Sequence, residues 1–72
     1  MFHLSLRLAD HVRRYSITAA RPFGWEVKCE EDRELRRSDL YEDWHRVERA
    51  KALIELEIMQ LRASGWLVSG EV

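Results

Sequence analysis

The chain has 72 residues, 46% of them hydrophobic and 35% charged, and a formal net charge of −1. That balance is too apolar for intrinsic disorder and too nearly neutral for a general attraction to nucleic acid or anionic membrane. One small domain over residues 1–72 fits the length, and a single cysteine excludes an intramolecular disulfide.

Residues 2–8 alternate, with Phe2, Leu4, Leu6 and Leu8 on one face and His3, Ser5 and Arg7 on the other. This is the period of a half-buried strand, with a loose arm over residues 1–11 as the alternative. Ala9-Asp10-His11 reads as a turn. Residues 12–20 alternate again, Tyr15, Ile17 and Ala19 against Arg14, Ser16 and Thr18, in residue types that favour pleated backbone. Arg21-Pro22-Phe23-Gly24 is the clearest hairpin signal, because proline presets φ early in a turn and glycine commonly closes it. The returning strand, 25–30, places Trp25, Val27 and Cys29 on one parity. Glu31-Asp32-Arg33 is a charged turn. Residues 34–38, with Leu35 as their one aliphatic side chain and Arg36 beside Arg37, read as an edge strand guarded by charge.

From Asp39 to Trp66 the pattern is that of one long helix. Asp39 is the expected N-cap and Glu42 completes the outline of a capping box. Gly65 suits the left-handed position after the last turn, with Trp66 folding back onto Leu61. Two apolar stripes run along this segment. Leu40, Trp44, Val47, Ile54, Ile58 and Leu61 form the first; Ala52, Leu56, Met59 and Ala63, followed by Trp66, form the second. At about 100° per residue the two lie on opposite sides of the helix. Trp66, Leu67 and Val68 are expected to return to the core, and residues 69–72 to fray.

The expected fold class is therefore α+β, an antiparallel β-meander of three or four strands followed by one long C-terminal helix packed on one sheet face. The first stripe covers the sheet. The second is covered either by a sheet that curls around the helix or by another chain. Small domains often complete their core by association, and the 4-3-4 spacing suits knobs-into-holes packing. The expectation is a homodimer whose interface holds Ala52, Leu56, Met59, Ala63 and Trp66, with Trp44 as a further anchor. An unidentified protein partner is compatible with the same surface.

Catalytic and ligand-binding patterns are lacking. Cys29 shares parity with Val27 and reads as a small buried hydrophobe, with no base beside it to make a thiolate. Glu42 and His45 form a Glu-x-x-His step, but paired-metal sites need a second copy and further carboxylates. Gly24, Gly65 and Gly70 are too scattered to cradle a phosphate. The expectation is a protein that is not an enzyme and uses no cofactor or metal. No apolar run approaches the roughly 20 residues needed to span a membrane. The first residues also lack a continuous apolar signal region, and with one thiol a cytoplasmic location is expected.

A second reading rests on Arg14, Lys28, Arg36 and Arg37, with Arg7 and Arg13, as a phosphate-tracking surface. A meander plus C-terminal helix acting as a dimer resembles the layout of the Whirly and related single-strand-binding proteins, and that likeness implies single-stranded nucleic-acid binding. Such binding relies on exposed aromatics, whereas Tyr15 and Trp25 share parity with the buried residues and Glu26 and Glu30 lie on the open face. Finally, Gly24-Trp25-Glu26-Val27, followed by Tyr41-Glu42-Asp43-Trp44-His45-Arg46-Val47-Glu48-Arg49-Ala50, is similar to short uncharacterised proteins of GC-rich bacterial genomes. The resemblance covers Arg14 to Trp66, leaves residues 1–11 outside, and implies no activity.

Overall fold

A computed structural model describes residues 2–71. Four strands follow one another in the order the alternation predicts: β1 (Phe2–Leu8), β2 (His11–Ala19), β3 (Trp25–Glu31) and β4 (Glu34–Tyr41). The helix α1 (Trp44–Ala63) comes next, and a fifth strand, β5 (Leu67–Glu71), ends the described chain. All five strands form one sheet in the order β4-β3-β2-β1-β5, and every neighbouring pair is antiparallel. The fold is α+β, a meander with one long helix packed on its face.

Turn chemistry sets the hairpins. Asp32 and Arg33, between β3 and β4, both have positive φ, at 51° and 72°. This is the pattern of the primed two-residue turn whose twist matches that of the strands it joins. Asp32 also ties this turn to β2. Its carboxylate accepts from the Val12 amide at 2.8 Å and from His11 Nδ1 at 2.7 Å. In the β2–β3 loop, Gly24 has a φ of 102°, and a Cβ there would lie 2.7 Å from the Tyr41 carbonyl oxygen. Glycine is required at that point by both conformation and space.

The core lies between the sheet and the inner side of α1. Leu4, Leu6, Tyr15, Ile17, Val27 and Cys29 come from β1–β3, and Val47, Ile54 and Ile58 come from the helix. Register explains why these strand residues meet. Leu4 pairs with Tyr15 and Tyr15 with Cys29, while Phe2 pairs with Ile17 and Ile17 with Val27. Residues directly opposite in an antiparallel ladder share a face, so the three alternating patterns merge into one apolar surface.

Three features differ from the sequence expectation. The helix starts at Trp44, not Asp39, because β4 continues to Tyr41 by pairing Asp39 with Val27, Leu40 with Glu26 and Tyr41 with Trp25. The cap is Asp43, whose carboxylate accepts from the His45 amide at 2.9 Å. Leu40 consequently belongs to the open sheet face, where it is 71% exposed, and not to the inner helix stripe. The third difference is β5. Leu67 and Val68 return as expected, but the chain continues as a strand on the outer edge of β1 as far as Glu71, with a register shift opposite Ser5 and Leu6. Pairing with β1 supplies backbone partners that a frayed tail would lack. Val72, and Met1 of the proposed N-terminal arm, lie outside the described residues.

The end of the helix follows expectation. Ser64 is the C-cap and Gly65, with φ 107°, occupies the left-handed position. The Trp66 amide donates to the Leu61 carbonyl at 3.0 Å and the Gly65 amide to the Arg62 carbonyl at 3.1 Å. These are the two bonds of a Schellman ending. They turn the chain toward β5 and bring Trp66 against the core cluster.

Candidate functional site: the outer face of the helix

Helical geometry separates α1 into two faces. Val47, Ile54 and Ile58 are buried against the sheet. Ala52, Leu56, Met59 and Ala63 are all exposed, Leu56 by 51% and Met59 by 67%. At about 100° per residue these four centre on the side opposite the buried three. Leu53, 68% exposed, widens the apolar surface on one flank. The sheet does not curl around to cover this stripe. Trp66 departs from it: it is half-buried and packs on the core cluster, with the Arg13 guanidinium 5.7 Å from its ring centroid. Trp44 is 46% exposed at the start of the helix and meets Trp25 edge to face, with ring centroids 4.9 Å apart.

A polar network holds this face in place from beneath. Glu57, on the flank of α1, reaches down to the sheet. The Tyr15 hydroxyl donates to its Oε1 at 2.8 Å and Arg13 Nη1 donates to the same oxygen at 3.1 Å. Arg37 Nη2 donates to Oε2 at 2.9 Å. Arg13 also donates to Glu31 through both Nε and Nη2, and Arg36 Nη1 reaches the other Glu31 oxygen at 3.3 Å. One helix carboxylate thus joins residues of β2 and β4 and fixes which side of α1 turns outward. The surroundings shift these groups. Burial of the Tyr15 ring, then the hydrogen bond to Glu57, pushes its hydroxyl well above the usual phenol range, against an opposing bond from Arg13. The Arg13 bond holds the Glu31 carboxyl below its usual value.

Sequence reasoning did not single out this network. One signal was present: Arg13 shares strand parity with buried Tyr15, which places a cation on the core face and calls for a carboxylate there. Which carboxylate answers depends on the helix docking.

The four basic residues of the nucleic-acid reading do not converge. Arg14 and Lys28 lie on the open sheet face with Ser16, Thr18, Glu26 and Glu30, as the ladder register requires. Arg36 pairs with Glu31 and Arg37 with Glu57. Among the described strand residues the open face carries no Phe, Tyr or Trp; Tyr15, Trp25 and Tyr41 pack on or against the core, and exposed Phe23 lies in the β2–β3 loop. Cys29 is a buried free thiol. Glu42 precedes the helix and His45 is exposed in its first turn. Among the described residues no three His, Cys, Asp or Glu side chains gather as a metal site. No described helix is long and apolar enough to cross a membrane. Compared with known proteins, the chain matches no family model, no curated protein and no solved structure.

Proposed function

We propose that this chain is a non-catalytic interaction module that acts as a homodimer through the outer face of α1. The supporting observation is the exposed stripe of Ala52, Leu56, Met59 and Ala63, set opposite the buried side of the helix. Its sequence spacing argues for a second copy over an unrelated partner. The stripe is palindromic: small, large, large, small, with equal four-residue steps on either side of a three-residue centre. Two antiparallel copies related by a dyad between Leu56 and Met59 would set each Ala52 against the partner copy's alanine at 63, and each leucine against a methionine. An interface of this kind is self-complementary, as two-fold symmetry demands. The alanines permit close approach while Leu56 and Met59, 51% and 67% exposed, supply apolar area whose covering is worth about 1–2 kcal/mol each.

Sedimentation at micromolar concentration tests the reading. The wild-type chain is expected to sediment as a dimer. Leu56→Asp with Met59→Asp is expected to weaken association by about a hundredfold or more, since each buries a charge at the centre of the contact. A wild-type monomer throughout the micromolar range overturns the proposal.

The second reading, single-stranded nucleic-acid binding through Arg14, Lys28, Arg36 and Arg37, has less support. Two of those arginines are engaged by carboxylates, and stacking platforms are what such sites use. A salt-sensitive shift of a labelled oligonucleotide would revive it.

A further inference from the structure

We infer that the groove between α1 and β4 is a binding site for a small monocarboxylate with an apolar body. Trp44 meets Trp25 of β3 at the start of the helix and Glu57 meets Arg37 of β4 in its second half; between these contacts a groove opens, lined by β3, β4 and α1. The space between them measures about 340 Å³, which lies in the range of small-molecule sites, about 300–1,000 Å³.

Its lining divides by chemistry. The floor is apolar, built from Val27, Cys29, Ala50 and Ile54, with exposed Leu53 as a shoulder. The helix-side rim carries Arg46 and Arg49. They stand three residues apart and therefore on one flank of the helix. Neither forms an ion pair among the described residues. Arg37, on the opposite wall, is already engaged by Glu57. Two uncommitted guanidinium forks above an apolar floor match a carboxylate head and a hydrocarbon body, because a guanidinium can hold both carboxylate oxygens at once. Asp39 completes the selection. It lines the same groove from β4, as Lys28 does from β3, and offsets one of the cations there, while the apolar floor favours a carboxylate that carries a hydrocarbon body over inorganic phosphate. Leu53 borders the outer stripe, but none of Ala52, Leu56, Met59 and Ala63 lines the groove.

The test is an amide chemical-shift titration of the full chain with sodium octanoate, with 1-octanol and inorganic phosphate as matched probes. Octanoate is expected to shift the amides of Val27, Cys29, Ala50 and Leu53, and to bind about tenfold or more tighter than either control. Arg46→Ala with Arg49→Ala, both exposed, should weaken octanoate by about tenfold at an unchanged melting temperature. Equal binding of octanol, equal binding of phosphate, shifts centred on Leu56 and Met59, or an unaffected double variant would each overturn the inference. The comparison of probes on the wild-type chain decides the matter even where the double variant folds poorly.

Discussion

Tyr15 is the residue on which fold and surface meet. Its ring is fully buried in the core, yet its hydroxyl donates to Glu57 on the helix. A buried hydroxyl that loses its acceptor costs about 1–3 kcal/mol, so Glu57→Ala should destabilise the chain by about that amount, since it removes the Tyr15 acceptor while Arg13 keeps Glu31. Tyr15→Phe removes the donor and leaves the carboxylate with two arginines, so its cost should be smaller, about 1 kcal/mol. Urea unfolding of the two variants checks the order; an equal cost would argue against Glu57 as the shared acceptor.

His11 supplies a pH dependence at the same scale. Its hydrogen bond and charge interaction with Asp32 raise the imidazole above its ordinary 6.5 and hold the Asp32 carboxyl below its ordinary 3.8. A raised imidazole stabilises the fold fully below 6.5, and the contribution disappears as pH rises through its higher folded value. A depressed carboxyl stabilises above 3.8, and that contribution is lost as pH falls through its lower folded value. The pair therefore acts between these limits. His11→Ala should be less stable than wild type at about pH 5.5, and the difference should shrink by about pH 9. A difference that is constant across this range would exclude the ion pair as its source. Both groups are exposed, so the effect is small.

Elements begin and end where backbone groups find partners, and α1 shows this at both termini. Asp39 has the chemistry of an N-cap but lies inside β4, paired with Val27; Asp43 makes the capping bond. Removing an N-cap acceptor costs about 0.5–2 kcal/mol. Asp43→Ala should show that loss in thermal unfolding, while Asp39→Ala should not show a capping loss; the reverse pattern would restore the earlier helix start. The β3–β4 turn offers a gain. Arg33 holds a φ of 72°, a conformation that suits glycine, and Asp-Gly is a preferred pair for this turn. Arg33→Gly should therefore raise stability by about 0.5 kcal/mol, measured by urea midpoint.

For the whole molecule, the balance between core and surface sets the behaviour. Among the described residues nine buried apolar side chains form the core, a small number for a domain whose single cysteine allows no internal disulfide. At the same time Leu53, Leu56 and Met59 remain exposed on one long helix. A homodimer that covers Leu56 and Met59 would couple association to folding, and its melting temperature should then rise with protein concentration. A melting temperature independent of concentration would separate the fold from the proposed assembly.

The alternating runs of β1, β2 and β3, the hairpin at Pro22, the Schellman ending at Gly65 and the opposition of two helix stripes were all legible in the order of residues. Each depends on periodicity or on neighbours a few positions apart, and local geometry fixes these. The helix start, β5 and the Glu57 network were not legible in the same way. Asp39 had two competing local roles, and only the ladder with Val27 chose between them. Leu67 to Glu71 is too short a run to announce a strand, and its partner β1 lies at the far end of the chain. Glu57 finds Tyr15, Arg13 and Arg37 because sheet register and helix docking bring three distant segments to one point. The residue pattern thus determined which surfaces are apolar and where the chain turns, while the tertiary structure decided which charges meet, where the groove opens and which stripe stays uncovered.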